Sequence, residues 1–245
     1  MSTSIPLIAS FLLLTSFAFV EPVKEFYPEV LSKPDLRPDT LRKYEALTAE
    51  FNRLIEEDVP YDNWPENLRV MEEGDLALGP YSTEIYGCGW YCGGFPDRMS
   101  ATSQLDSNAT ATYIPENIHD FDLQTAWIEG KEGMGVGEEI HITFKFPSSS
   151  RRVTHVEIYN GYCKSEKAWQ ENARVKKFGL YANGEFVGRL NLEDIYKGQR
   201  FAVGSLGGDN EDVLVLTFGI LEVYPGTKYP DTAVSEINVD GIGHH

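Results

Sequence analysis

The sequence predicts an all-β fold, a two-sheet jelly-roll β-sandwich preceded by a short α-helical N-terminal extension. Three observations predict it. From about residue 86 onward, short runs alternate apolar and polar residues between Gly, Asn, Asp and Pro punctuation, the pattern of half-buried strands. Asn183-Gly184 joins residues 177–182 to 185–190 and is the strongest hairpin signal in the chain. A sustained helical period occurs once, where Leu41, Tyr44, Leu47, Phe51, Leu54 and Ile55 recur at three- and four-residue steps. With 245 residues and 22 glycines, the chain allows one turn-rich domain plus extensions, with a core that holds without staples.

Taken in order, residues 5–20 are an apolar run too short for a comfortable membrane span and of the length of a signal-peptide core, with Ser16 and Ala18 near a cleavage point. No Lys or Arg precedes the run, so an uncleaved N-terminal anchor is the alternative; either way the body of the chain is expected outside the cytoplasm, secreted or at the cell surface. Residues 21–36 are rich in Pro and charge and read as a linker. Pro38-Asp39-Thr40 opens the helix with Asp39 as N-cap, and the helix ends before Pro60. Residues 21–80 carry 15 acids against 7 bases, so this leader (21–85) holds about half of the net charge of −17. A lone amphipathic helix needs a surface, either the main domain or a partner protein. Residues 61–86 read as irregular.

In the sandwich (86–245), Ile140, Ile142, Phe144 and Phe146 alternate with His141, Thr143 and Lys145; Val156 and Ile158 repeat the pattern, followed by Phe178 and Leu180. Residues 213–218 are apolar on both faces, as in a central strand, and 220–224 and 233–239 close the domain. Residues 170–174 and 192–196 carry hints of short helical turns.

The acidic balance repels nucleic acid and anionic membrane surfaces. Three cysteines, Cys88, Cys92 and Cys163, point in an exported chain to one disulfide and one cysteine left over. Cys88 and Cys92 can close locally around Gly89-Trp90-Tyr91, while Cys163 can pair with either. A zinc site would need a fourth ligand and a second Cys-rich knuckle.

The stretch 160–177 between two strands is an electrostatic exception, with five cations and two large aromatics in an acidic chain. Sugars are held by aromatic faces against C–H patches, with planar amides and cations taking the hydroxyls. Tyr162 and Trp169 can supply faces, and Asn160, Lys164, Asn172 and Arg174 can supply donors. A purely structural assignment is open beside it: Asn160-Gly161 as a turn, Trp169 as a plug for the sandwich end, and the cations paired with Glu166 and Glu171. In a second group, Asp120, Asp122 and Thr125 form an Asp-rich loop of the kind that suits Ca²⁺, or else an Asx-turn. Trp127 reads as core.

Three blocks resemble a known family. They are Ala101-Thr102-Ser103 with Asn117-Ile118-His119-Asp120 and Thr125-Ala126-Trp127-Ile128-Glu129-Gly130; then Asn160-Gly161-Tyr162-Cys163-Lys164 with Trp169 and Asn172-Ala173-Arg174-Val175; then Asp231-Thr232-Ala233-Val234-Ser235-Glu236-Ile237. The outer blocks resemble discoidin or coagulation-factor 5/8 type C domains of the galactose-binding-like superfamily, and the middle one is similar to the NADase-type glycan-binding (translocation) domain. The resemblance covers about residues 85–243. It implies a non-catalytic, glycan-binding sandwich whose partner is a glycan or glycoconjugate, with NAD cleavage belonging to a separate domain. It also implies a structural calcium held with a Glu of the last strand, here Glu236. This sequence departs from the pattern at Phe121, where a small residue is usual, and at Cys163. A protein–protein adhesion or scaffold module using the same loops, with the helix as partner contact, is the alternative.

Other chemistry finds little purchase. The Gly-rich run 130–137 leads into a strand, whereas a phosphate cradle opens a helix, so it reads as a flexible edge loop. His119, His141 and His155 are scattered, His244-His245 is a tail, and no nucleophile elbow or HExxH spacing occurs.

Overall fold

The computed structural model describes residues 22–31, 38–66, 68–69, 95–145, 151–208 and 212–242. The signal run, the Cys88–Cys92 pair, Trp90, Tyr91, Phe146 and the His tail lie outside the described residues.

The sandwich is built from strands β3 (Pro96–Ala101), β4 (Trp127–Ile128), β5 (Glu139–Lys145), β6 (Arg152–Asn160), β7 (Ala173–Ala182), β8 (Glu185–Asn191), β9 (Gly198–Leu206), β10 (Val213–Tyr224) and β11 (Thr232–Ile242), with β1 (Glu25–Phe26) and β2 (Glu29–Val30) ahead of them. The ladder runs β2-β9-β6-β11-β7-β10-β5-β3, with β8 beside β7 and β4 beside β11. β11 is the hinge of this path. It lies antiparallel to β6 over most of its length and meets the start of β7 in a two-residue parallel contact, Thr232 and Ala233 against Ala173 and Arg174. Val153, Val156, Ile158, Phe201 and Ile237 from one layer pack with Phe178, Leu180, Leu216, Phe218, Ile140 and Ile142 from the other in one buried core.

The alternation at 140–144 does what the sequence suggests: Ile140, Ile142 and Phe144 are fully buried and the residues between them face outward. The turn at Asn183-Gly184 has φ of 49° and 82°, the left-handed pair that a two-residue hairpin requires. Elsewhere the structure corrects the sequence reading. β10 is one strand of 12 residues that runs through to Tyr224, and its outer side is open, with Val213 exposed and Val215 half-buried. The helical turn in the middle stretch is Glu166–Glu171, here α2, and Ala173 and Arg174 already belong to β7. Residues 192–197 are irregular, because Gln199 caps the turn through its side chain, accepting from the Glu193 N–H at 2.7 Å and donating to the Glu193 carbonyl at 3.0 Å.

Residues 22–31, read as linker, instead close the sides of the sandwich. β1 adds parallel to β8, and β2 adds antiparallel to β9. Phe26 enters the main core, which contributes on the order of 2 kcal/mol. Gly188 makes room for this strap: a Cβ there would stand 2.6 Å from both the Lys24 carbonyl oxygen and the Phe26 ring.

Helix α1 (Pro38–Glu56) begins one residue ahead of the expected cap, so Asp39 sits within its first turn and pairs with Arg42. Its stripe packs on its own segment: Leu54 is buried with Trp64 and Leu68, and Tyr44, Leu47, Phe51 and Val59 pack around them, while Ile55 is exposed. Phe51 meets Trp64 edge-on at 5.4 Å, and the Trp64 indole N–H donates to the Val59 carbonyl at 2.8 Å.

Candidate functional site

Strand directions gather the long connections at one end. β5 is antiparallel to β3 and β10, β7 to β8 and β10, and β6 to β9 and β11. Residues 102–138, 161–172, 192–197 and 225–231 therefore share one end of the sandwich, which carries the candidate ligand and metal residues. No helix among the described residues is long and apolar enough to cross a membrane.

The middle loop is fastened from within. Asn160 ends β6 and is 2% exposed; its amide donates to the Val175 carbonyl at 2.6 Å and accepts the Val175 N–H at 3.0 Å, so one side chain ties both ends of the loop. Gly161, at φ 90°, lets the chain turn beneath Trp169: a Cβ there would stand 2.7 Å from the indole Cδ1. Ser165 caps α2 by accepting the Ala168 N–H at 3.1 Å, and the Asn172 amide closes the other end by donating to the Ala168 carbonyl at 2.8 Å.

Arg174 is the keystone, at 6% exposure. Its guanidinium forks onto Asp194 at 2.7 and 3.1 Å and donates to the Trp169, Asn172 and Pro225 carbonyls at 3.0, 2.8 and 3.5 Å, while lying 4.3 Å from the centroid of the Trp169 ring. The Trp169 indole N–H donates to the Asn160 carbonyl at 2.8 Å, and its ring leans on Tyr196 at 5.8 Å. Asn160, Asn172 and Arg174 are thus committed to backbone and to Asp194, and Trp169 is half-buried between Arg174 and Tyr196.

Tyr162 and Lys164 stand apart from that knot, but Tyr162 does not offer the open face expected of it: at 7% exposure it packs with Ala126, Ile128, Ala168 and Ala233, because the loop turns the ring inward onto the sandwich end. The Tyr162 ring meets Tyr113 edge-on at 6.5 Å, and the exposed Lys164 ammonium lies 4.6 Å from the Tyr162 ring centroid. Lys228 over Tyr229, again at 4.6 Å, repeats this cation–aromatic pairing on the neighbouring 225–231 loop, which is laced to α2 through the Gln170 and Glu171 carbonyls. Tyr113, Asp194, Tyr196 and the Lys228–Tyr229 pair were not singled out in the sequence. Tyr113, Asp194 and Tyr196 depend on partners far along the chain, and the adjacent Lys228–Tyr229 pair is placed by its bonds to α2, so none carries a local pattern.

The acidic group comes together on the other side of Cys163. Thr125 donates from its hydroxyl to Asp120 at 2.7 Å, and the Asp122 N–H donates both to Asp120 (3.0 Å) and to Glu236 Oε1 (2.9 Å). Ser235, next to Glu236, accepts the Cys163 N–H and donates to the Thr125 carbonyl, both at 2.9 Å, so β11 binds this loop to the middle one. Glu236 is fully buried and its Oε2 has no hydrogen-bond donor. Burial first, then the adjoining Asp120 carboxylate, pushes the Glu236 carboxyl well above the ordinary range. Phe121, between the two aspartates, holds φ of 61°, a left-handed backbone that a glycine adopts freely; its ring lies 4.8 Å from His119.

A buried carboxylate oxygen without a donor, beside a second carboxylate, a hydroxyl and main-chain oxygens, fits a hard oxygen-seeking cation in kind. Among the described residues no three His, Cys, Asp or Glu side chains converge on one point, so main-chain oxygens and water would have to supply much of the coordination.

The remaining reactive side chains here serve the fold. His119 is buried, its pKa lowered to about 4 by burial, and the neutral ring donates from Nδ1 to the Ile237 carbonyl at 2.9 Å. Cys163 is a buried, unbridged thiol, pushed up to about 12 by burial, so it joins no disulfide. Trp127 is core, fully buried with its indole N–H on the Ser103 carbonyl at 2.9 Å. The Gly-rich 130–137 run is an exposed edge loop tied at two points: buried Glu129 accepts the Lys131 N–H at 2.8 Å, and Thr232 donates to the Met134 carbonyl at 2.9 Å.

Over residues 90–240 the chain matches the family described as NAD glycohydrolase translocation F5/8 type C domain. Among solved structures it is similar to CBM32-3 from a family 31 glycoside hydrolase of Clostridium perfringens, at 16% identity and a TM-score of 0.42, covering 61% of this chain and 91% of that one. It is also similar to the C-terminal domain of a chitobiase from Bacteroides fragilis, at 10% identity and a TM-score of 0.40, covering 63% of this chain and 97% of that one. Identities this low say nothing of ligand. A comparison with curated proteins finds no match.

Proposed function

From the premise that this chain belongs to the NAD glycohydrolase translocation F5/8 type C domain family, we propose that it is an exported, non-catalytic glycan-binding module whose ligand sits on the loop end of the sandwich. One observation carries the reading: an exposed lysine, Lys164, stands over the Tyr162 ring on a loop whose backbone is locked by Asn160 and Arg174. A loop fixed before the ligand arrives loses little entropy on binding, and an exposed cation held in place by a buried ring offers what a sugar's hydroxyls or acidic groups need. In this reading the exposed Lys164 and the edge of half-buried Trp169 meet the glycan, while buried Tyr162, Asn160, Asn172 and Arg174 hold them in place.

The perturbed groups His119, Cys163 and Glu236 are each buried in the frame, which supports a binding role over a catalytic one. Calcium belongs to the same proposal: Asp120 and Glu236, with Asp122 and Thr125 about them, would hold it, and its charge would offset the buried carboxylate and fix the turn at Phe121. The apolar stripe of α1 is taken up by its own segment, so the loops, not the helix, are assigned the contact.

The test is a glycan array probed with the full secreted chain, with and without Ca²⁺ and with free sugars as competitors. Binding that a free sugar inhibits supports the proposal. Binding that no glycan inhibits assigns the loops to a protein partner instead.

A further inference from the structure

We infer that Asn108 is a site of N-linked glycosylation, a covalent modification independent of whatever glycan the loops bind. Asn108-Ala109-Thr110 is the single Asn-x-Ser/Thr sequence in the 245 residues, and its middle residue is not proline. The residues from Asp106 to Thr110 are all exposed, on the connection between β3 and β4.

The folded loop holds this side chain in a way that survives the modification. Asn108 Oδ1 accepts three hydrogen bonds, from the Thr110 N–H and hydroxyl at 2.9 Å each and from the Ala111 N–H at 3.1 Å, while the Asn108 N–H donates to the Ala111 carbonyl at 2.9 Å. The side-chain amide donates one hydrogen to the Tyr113 hydroxyl at 3.1 Å, and its second hydrogen has no partner among the described residues. N-glycosylation replaces one amide hydrogen and leaves the other, so each of these contacts can persist in the modified protein.

The co-reactant is a lipid-pyrophosphate-linked oligosaccharide of the exporting compartment. The bond between the sugar C1 and the phosphate oxygen breaks, the bond between C1 and the Asn108 side-chain nitrogen forms, and the amide proton leaves with the released lipid pyrophosphate. The attachment point is one hydrogen bond from Tyr113, whose ring meets Tyr162, so the added oligosaccharide would rise at the rim of the loop end.

The experiment expresses the full chain, with its own N-terminus, in a eukaryotic secretory host. The tryptic peptide spanning residues 99–131 is then measured by mass spectrometry before and after an amidase that releases Asn-linked glycans. The expected result is a glycan mass on that peptide, with deamidation at position 108 after release. Thr110→Ser should keep the modification; Thr110→Ala, which leaves Asn108 in place, and Asn108→Gln should abolish it. A chain recovered from the medium with an unmodified 99–131 peptide overturns the inference, as does a chain that never enters the secretory compartment.

Discussion

The two polar clusters at the loop end face each other across Ser235 and differ in what their charged groups have been given to do. Around Trp169, a cation-rich segment has every buried polar group matched: the Asn160 amide to Val175, the Asn172 amide to Ala168, and the Arg174 fork to Asp194 and three carbonyls. Around Glu236, a carboxylate of similar burial keeps one oxygen without a donor, next to another carboxylate. A buried polar group that is satisfied defines a shape; one that is not satisfied is a standing cost that a proton or a cation can relieve. The first cluster therefore reads as frame. The second keeps a buried oxygen that the fold leaves without a donor, and it is there that the calcium proposal is tested.

Removing the keystone should have the largest effect. Arg174→Met leaves Asp194 and three carbonyls without their donor, and the unfolding free energy should fall by about 3 kcal/mol in a denaturant titration. A loss under about 0.5 kcal/mol would mean that the guanidinium is a surface group and would dissolve the contrast. Asn160→Ala removes both side-chain bonds that close the loop and should cost about 2 kcal/mol in the same titration.

Much of the fold was legible beforehand because strands announce themselves locally. The alternation at 140–144 and the Asn183-Gly184 turn are period and turn chemistry within a few residues. The strap escaped because Phe26 is buried by β8 and β9, more than 160 residues away, and nothing near Glu25 advertises it. The candidate site was half legible for the same reason. Residue types drew attention to 160–177, yet whether an amide or a guanidinium faces solvent or backbone is decided by tertiary partners such as Asp194 and Val175. The Asp120–Glu236 approach crosses more than 100 residues, and only the family resemblance joined its two ends.

The second cluster makes the opposite prediction. Glu236→Gln should raise the stability of the metal-free protein at neutral pH by about 1 kcal/mol, because a neutral amide replaces a carboxylate that burial disfavours and can donate to Asp120. Because the folded carboxyl holds its proton more tightly than the unfolded one, native stability without metal should be greatest below the unfolded carboxylate range. It should then fall as pH rises from that range through the raised folded value, and the variant should lose that slope. Calcium should raise the melting temperature of the parent protein and leave Glu236→Gln unmoved; equal shifts in both would remove the cation from this pocket.

The smallest structural effect belongs to the residue assigned the most function. Lys164 is exposed and touches only the Tyr162 ring among the contacts described above, so Lys164→Ala should change stability by less than about 0.5 kcal/mol. The decisive measurement is the affinity of Lys164→Ala for the strongest array glycan, set beside its melting temperature. A melting temperature equal to that of the parent, with affinity reduced about tenfold or more (about 1.4 kcal/mol), is the predicted result. Unchanged affinity at an unchanged melting temperature would contradict it.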